Sequence, residues 1–303
     1  MTVDTEGDNL WNWKEGKKIS TNNSKYIAPF QELCEKYKII PVYLVNYEMA
    51  NDNNFVMYIK NKAKKGLCEI GMHLHAWNSP PIFKLPKKYS GNSYITEYSK
   101  KIIYDKHKYL KDLIIKRFDV VPVSYRSGRW ATNDVLFEVL DELGFLVDCS
   151  ITPGINHRAC GRTVSKSNNY RNEKKTPRLI RNNLLEVPMT TSLKHHFYGN
   201  SLKRKIINLI RGEERWLRPA LQTEKEMLSL INDDLKSHKS YIMFMIHSSE
   251  LMPKGSPYCD TQADVDFLLN KLENIFIQIQ HLGKGVSLKD FYNFIGSDIN
   301  EKS

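Results

Sequence analysis

The chain alternates short apolar runs with longer segments in which apolar residues recur every three or four positions. The apolar runs cover residues 39–45, 67–75, 120–125, 145–150, 184–189 and 241–246, and residues 2–6 alternate between apolar and polar. Runs of this length are typical of strands, and the intervening periodicity predicts helices. The predicted helices cover 24–37, 52–64, 95–113, 133–143, 223–237, 261–281 and 289–295. Strands that alternate with helices predict a parallel sheet with right-handed crossovers and helices on both faces.

Polar side chains that can carry chemistry follow these runs at their C-terminal ends. They are Asp4, Glu6, His73, His75, Arg126, Asp148 and His247. In a β/α barrel the C-terminal strand ends form one rim, and catalytic groups of that architecture lie there. The sequence therefore predicts an α/β fold, a parallel β/α barrel, with one reactive rim.

A single domain accounts for the whole pattern. Hydrophobic residues make up 41% of the 303 residues, enough for a full-sized core. We expect the barrel to cover 1–295, with rim insertions within 152–218 and a C-terminal tail at 296–303. The basic segment 201–218 is predicted to be helical, and Thr223 with Glu226 forms a capping-box pattern at the start of the next helix.

His73 and His75 lie two positions apart in the run 67–75. Alternate strand residues face the same side, so the two imidazoles point the same way. Neutral imidazole is a common zinc ligand and also a common structural hydrogen-bonding group. The spacing is compatible with a metal site and with two structural histidines.

Composition limits the classes of function. No run of about 18 apolar residues is present, which excludes a membrane-spanning helix, and the first residues lack the pattern of a signal peptide. We therefore expect a cytoplasmic protein. The five cysteines include no C-x-x-C pair, which argues against a disulfide framework and a thiolate zinc site.

The formal net charge is +11, and the densest basic stretch is 201–218. Such a stretch can contact anionic glycans, phospholipid headgroups or nucleic acid, or it can form a solvated helix face. Because lysine is abundant along the whole chain, the charge does not predict a specific nucleic-acid site. Peripheral contact with an anionic membrane surface stays open.

Two histidines and a carboxylate with open positions suit a catalytic divalent metal such as zinc. Such a metal supports hydrolysis of an amide or ester, with a second carboxylate as general base and another histidine as general acid. The chain has no G-x-S-x-G elbow and no G-x-G-x-x-G after a strand. Serine-nucleophile chemistry and dinucleotide binding are therefore disfavoured.

Five segments, in this order along the chain, resemble the motifs of NodB-type polysaccharide deacetylases. That family consists of metal-dependent carbohydrate esterases with a distorted β/α barrel. The segments are TVDTEGD (2–8), EIGMHLH (69–75), YRSGRW (125–130), VDCS (147–150) and MIHS (245–248). The resemblance implies a distorted parallel β/α barrel and an acetylated sugar or glycan as substrate.

The resemblance also implies roles for individual residues. Asp4 would be the general base, His247 the general acid, and Arg126 would orient the base, with Asp148 as a further catalytic residue. Glu6, His73 and His75 would bind a divalent metal, with zinc favoured. Trp77, Trp130 and Arg129 would bind the sugar.

Two features depart from the family pattern. The acids lie at 4 and 6 instead of side by side, and the second histidine follows at i+2 instead of i+4. Asp8 is therefore an alternative acidic ligand, and Asp148 could instead hold a loop or pair with an arginine. We expect an N-acetyl sugar deacetylase. The alternatives are hydrolysis of an O-acetyl ester or another amide, and a carbohydrate-binding module without turnover.

Overall fold

The computed structural model describes residues 1–14, 16–85, 92–157, 168–195, 201–236 and 241–300. Within these ranges the chain forms ten strands and nine α-helices. The strands are β1 (Thr2–Thr5), β2 (Val42–Val45), β3 (Glu69–Leu74), β4 (Ser124–Ser127), β5 (Val147–Asp148), β6 (Arg178–Leu179), β7 (Leu185–Glu186), β8 (Thr191–Lys194), β9 (Glu213–Trp216) and β10 (Met245–His247). The helices are α1 (Ile27–Lys36), α2 (Tyr47–Asn51), α3 (Asn53–Lys64), α4 (Lys100–Phe118), α5 (Asp134–Glu142), α6 (Leu202–Arg211), α7 (Glu224–Lys236), α8 (Gln262–Ile279) and α9 (Leu288–Asn300).

Eight strands form one sheet in the order β10-β1-β2-β3-β4-β5-β7-β6. All neighbours in this sheet pair in parallel except β6 and β7, which are antiparallel. The sheet curls into a half-barrel surrounded by helices. The predicted α/β fold, a distorted parallel β/α barrel, is therefore confirmed.

Alternation along the strands divides the core into two layers. Outward-facing residues such as Val3, Met72 and Tyr125 pack against helix residues such as Phe30 and Leu110. The inner layer fills the curl of the sheet. It consists of Val42, Leu44, Val147, Cys149, Leu185, Val187, Met189, Met243, Met245, Leu288 and Phe291. Because both faces of these parallel strands are buried, their sequences read as continuous apolar runs.

Helix ends follow the predicted signals at two places. Thr223 and Glu226 form the predicted reciprocal bonds: the Thr223 N–H donates to Glu226 Oε2 at 2.8 Å, and the Glu226 N–H donates to Thr223 Oγ1 at 3.3 Å. Helix α5 ends just before Gly144, which has a φ of +75°. Glycine adopts this left-handed conformation without strain, so it terminates the helix as expected.

The segment 201–218 differs from its prediction as one helix. Helix α6 ends at Arg211, and residues 213–216 form β9, which pairs antiparallel with β8. Gly212 lies between them with a φ of +73°, a conformation that ends a helix. The C-terminal helix α9 also runs beyond the predicted end at 295, into the predicted tail.

The sheet has β10 at one edge and β6, which pairs with β7, at the other. The chain that follows β7 and β9 crosses the opening between these edges and contacts β10 and the residues before it; we call this contact the seam. The Met243 N–H donates to Thr190 Oγ1 at 2.9 Å, and the Met245 N–H donates to the Leu217 carbonyl at 3.0 Å. The Leu217 N–H in turn donates to the Thr190 carbonyl at 3.3 Å. The β8–β9 hairpin, with α6 at its tip, is therefore attached at the seam of the barrel.

Cys34, Cys68, Cys149 and Cys259 are buried free thiols, and Cys160 lies outside the described residues. None of the helices in the described part of the chain combines the length and apolar character needed to cross a bilayer.

Candidate metal centre and active site

The polar residues predicted at the strand ends meet on the inner face of the curled sheet. Asp4 on β1 is level with His247 on β10, and His73 on β3 is level with Arg126 on β4. Asp4, His73 and Arg126 each alternate with outward apolar residues, so these three side chains turn inward. Parallel pairing thus brings groups from both ends of the chain to one rim.

Glu6, His73 and His75 are buried, and their ligand atoms all lie within 4.8 Å of one another. His75 Nε2 is 2.7 Å from Glu6 Oε2 and 3.1 Å from His73 Nε2. His73 Nε2 is 3.5 Å from the same carboxylate oxygen. Ligand atoms roughly 2.0–2.1 Å from a tetrahedral zinc ion lie roughly 3.3 Å apart. The three residues therefore fit a small divalent cation with two nitrogen ligands and one oxygen ligand.

A backbone hydrogen bond orients the His73 ring. Its Nδ1 lies 2.9 Å from the Arg126 carbonyl oxygen, which only accepts, so Nδ1 carries the proton. In the neutral ring Nε2 then presents a lone pair to the cluster, the arrangement usual for metal-binding histidines. Gly128 leaves space for the second ring, because a Cβ there would lie 2.8 Å from His75 Nδ1.

Glu6, and not Asp8, is the acid that faces the two histidines. Burial opposes ionisation of Glu6, but hydrogen bonds with His73 and His75 outweigh it and hold the pKa of Glu6 well below its usual range. Asp8 accepts instead from the Ser20 hydroxyl and from the Asn23 N–H. These bonds tie Asp8 into the loop that follows β1.

Asp4 forms a buried ion pair with Arg126, with 2.6 Å between Oδ1 and the guanidinium nitrogen. Burial alone would raise the pKa of Asp4, but Arg126 and the nearby imidazoles of His73 and His247 lower it below its ordinary value. The Arg126 Nε–H also donates to the Cys149 carbonyl at 3.0 Å. Asp4 is thus held as an oriented carboxylate beside the cluster.

His247 lies on the other side of Glu6, with 3.9 Å between His247 Nε2 and Glu6 Oε1. Its Nδ1 is 3.2 Å from Oε1 of Glu250, a fully buried carboxylate three residues further along the chain. Arg218 donates to the same carboxylate oxygen at 3.1 Å. Burial opposes ionisation of Glu250, but His247 and Arg218 lower its pKa, so an anion supports the histidine.

Aromatic side chains border the rim on two sides. Trp77 lies with its ring centroid 5.5 Å from that of His75 and 4.5 Å from that of Trp13. Trp130 covers the Arg126 guanidinium at 4.9 Å and contacts Trp216 at the same centroid distance. Flat apolar faces of this kind suit the faces of sugar rings.

Two predicted site residues turn away from this cluster. Arg129 has a φ of +59°, which directs its side chain to the Tyr94 ring, 4.2 Å away, and to the Asn92 carbonyl. Asp148 alternates with inner-layer residues along β5 and accepts from the Ser150 hydroxyl at 2.6 Å. Its strand neighbour is Glu186 on β7. Asp148 thus lies in a hydrogen-bonded carboxyl pair on the outward face.

Replacing Glu186 with glutamine should stabilise the protein at neutral pH. Burial raises the pKa of Asp148, and burial together with Asp148 raises that of Glu186 well above its ordinary value. Above the unfolded pKa of about 4.3, the native state therefore retains a proton that the unfolded chain releases, and stability falls as pH rises through this window. We expect Glu186→Gln to raise the free energy of unfolding by about 1 kcal/mol or more at pH 7.

Urea unfolding followed by circular dichroism between pH 4 and 8 measures this effect. The gain should vanish near pH 4, where the Glu186 carboxyl is protonated in both states. Glu138→Gln, at an exposed carboxylate paired with Lys100, is the matched control and should leave the pH dependence unchanged. A variant that is less stable than wild type at pH 7 would show that Glu186 is ionised in the native state.

Several residues that surround the cluster have no role predicted from the sequence. Glu250 could have been found from its position three residues after His247, where it can reach back to the strand end. Arg218 lies in the basic segment 201–218, where its charge does not distinguish it from its neighbours. Trp216 lies in β9, which the sequence predicts as helix. Glu48 follows β2 and hydrogen bonds to Asn78, and burial raises its pKa to about 7.

No protein-family model matches this chain, and no curated protein matches it in sequence. Solved structures match it in fold. One is a candidate polysaccharide deacetylase from Mycobacterium smegmatis, 11% identical, with 98% of this chain and 90% of that chain covered at a TM-score of 0.56.

Two structures from Thermococcus match to a similar degree. A 4-α-glucanotransferase from Thermococcus litoralis is 12% identical, with 97% of this chain and 39% of that chain covered at a TM-score of 0.55. A GH57 branching enzyme from Thermococcus kodakaraensis is 10% identical, with 96% and 70% covered, also at 0.55. The chain therefore shares the curled β/α fold of these three proteins.

Proposed function

We propose that this protein is a divalent-metal-dependent hydrolase that removes an acetyl group from an N-acetylated sugar or glycan. The observation that carries the proposal is the convergence of Glu6, His73 and His75, with Asp4 and His247 on either side. The names of the three fold neighbours, which refer to polysaccharide deacetylation and to glucan transfer and branching, support a carbohydrate substrate.

Glu6, His73 and His75 would hold a divalent cation, which would supply Lewis-acid chemistry when bound: a polarised acyl carbonyl and a bound water with a pKa lowered toward about 7. Asp4 is the general base: it is ionised, and Arg126 holds one of its oxygens so that the other can accept a proton from water. Because Arg126 is fully buried, it fixes this orientation rigidly.

His247 is the general acid that protonates the leaving amine. Its Nε2 faces the cluster, and its Nδ1 lies 3.2 Å from Glu250 Oε1 and 3.3 Å from an Arg218 guanidinium nitrogen. Glu250 and Arg218 hold the ring in an orientation that directs Nε2 at the cluster, where it can pass a proton to the departing nitrogen. Arg218 keeps Glu250 ionised and in place.

Cleavage of a glycosidic bond, the other chemistry found among the fold neighbours, fits these carboxylates less well. Glycosidases use a pair of carboxyl groups, one of which is protonated because its pKa is raised. Here the pKa values of both Asp4 and Glu6 are lowered, and each acid already interacts with a cation or an imidazole. Asp4 and Glu6 therefore act as a base and a ligand, and not as the acid and nucleophile of a glycosidase.

Metal content measured by elemental analysis tests the proposal first. We expect about one ion per chain in the wild type and none in a folded His73→Ala/His75→Ala variant, because the two imidazoles supply most of the ligands. His281→Ala, at an exposed histidine in a turn, is the control and should keep the ion. A wild type that takes up no added zinc, cobalt or manganese would rule out the metal mechanism.

Acetate release from a panel of N-acetylated and O-acetylated sugars then identifies the bond. Release from the N-acetyl members, lost with the two histidines, supports the deacetylase. Release from O-acetyl members alone would assign an esterase. A metal-loaded protein that binds sugars and releases no acetate would be a binding module.

A further inference from the structure

Helix α6 exposes an apolar stripe. Leu202, Ile206, Leu209 and Ile210 have exposed fractions of 66%, 44%, 49% and 70%. Their spacing of i, i+4, i+7 and i+8 places them within an arc of about 100° on one face of the helix. Four large aliphatic side chains on one solvent-facing stripe form a contiguous apolar surface, unlike the single exposed apolar residues that are common on proteins.

The same ten residues carry four cations and no acid. Lys203, Arg204, Lys205 and Arg211 lie within 202–211, which contains no aspartate or glutamate. A helix with an apolar stripe and basic flanks is the kind that lies in the plane of an anionic lipid surface. A second copy of α6 is a poor partner, because pairing would bring two sets of four like charges together.

Helix α6 is held by contacts with the β8–β9 hairpin from which it projects. His195 Nδ1 is 3.1 Å from the Leu209 carbonyl, and Leu193 on β8 packs beside Gly212. Leu193 is itself half exposed, so it extends the apolar surface beyond the helix. A surface that binds α6 would therefore lie beside the hairpin that also places Trp216 at the rim.

We propose that α6 is a membrane-docking element that lies flat on an anionic phospholipid bilayer. Its four aliphatic side chains enter the headgroup boundary, and Lys203 and Lys205, which flank the stripe on either side, contact lipid phosphates. At ten residues it is too short to cross a bilayer, which takes about 20. Docking does not depend on hydrolysis, so it can be measured by binding alone.

Cosedimentation of the whole protein with lipid vesicles tests the proposal. We expect at least tenfold stronger partitioning to phosphatidylcholine vesicles with about 30% phosphatidylglycerol than to phosphatidylcholine alone, and weaker binding as salt rises. Ile206→Ser/Ile210→Ser should weaken binding to the anionic vesicles by at least about tenfold, and Lys203→Gln by about fivefold.

Met57→Ser/Phe267→Ser is the matched control, since it removes two exposed apolar side chains, one from α3 and one from α8. It should bind vesicles like the wild type, and circular dichroism should show all variants folded. Equal binding of the Ile206→Ser/Ile210→Ser variant, or no binding of the wild type, would overturn the proposal. A wild-type dimer in sedimentation velocity that this variant loses would assign the stripe to self-association instead.

Discussion

Asp4→Asn should lower kcat for acetate release by at least about a hundredfold, the usual contribution of a general base. Asparagine has the same shape and can still accept the hydrogen bond from Arg126, which now holds Asp4 Oδ1 at 2.6 Å. It cannot take a proton from water. Because Glu6, His73 and His75 are untouched, the metal content should stay at the wild-type value, and steady-state kinetics beside elemental analysis would show the separation.

Asp8→Asn is the control for this experiment. Asp8 is a buried acid four residues further along the chain, and its oxygens are occupied by Ser20 and Asn23. We expect this variant to keep its metal and most of its activity. If Asp8→Asn lost the metal, Asp8 would be the acidic ligand after all. If Asp4→Asn kept full activity, the base would have to be another residue.

Arg126→Met should destabilise the protein by about 3–5 kcal/mol, the cost typical of breaking a buried ion pair by removing one partner. Both side chains are buried, and methionine leaves Asp4 as an uncompensated charge. Urea unfolding of the metal-free protein measures the loss. The double variant Asp4→Asn/Arg126→Met should recover part of it, because it no longer buries an unpaired carboxylate.

Arg178→Met provides the comparison at a partly exposed ion pair. Arg178 lies 2.5 Å from Glu173, and both side chains are partly open to water. Its loss should cost less than about 1 kcal/mol. Equal effects at Arg126 and Arg178 would show that water reaches the Asp4 pair.

Much of the fold is predictable because parallel strands that are buried on both faces leave a strong apolar signal. The same alternation predicts that His73 and His75 share a face, and their Nε2 atoms lie 3.1 Å apart. The β8–β9 hairpin was missed, because its strands are short and half-exposed and carry charged residues, and because Gly212 lies in a sequence that otherwise favours a helix.

At the site, the positions of three side chains are not predictable from the sequence, for a different physical reason than in the hairpin. Face alternation puts Asp148 on the opposite side of the sheet from Arg126, but a two-residue strand gives no sequence pattern from which to determine its face. The Arg129 side chain is redirected by its own left-handed backbone, and a positive φ at a residue other than glycine has no clear sequence signal. Glu250 acts through a turn after β10, and such short-range side-chain contacts depend on tertiary packing rather than on periodicity.

The seam at β10 separates the hairpin from the strands that carry the proposed chemistry. The groups proposed for the chemistry come from β1, β3, β4 and β10 and from the residues that follow β1, β3 and β10, whereas Trp216 and α6 come from the hairpin attached across the seam. Arg218, which follows β9, connects the two parts through its hydrogen bond to Glu250. Insertions or exchanges in that hairpin leave the register of the four strands intact. One segment of chain can therefore change the aromatic side of the rim and the surface formed by α6 while the strands that carry Asp4, His73 and Arg126 keep their register.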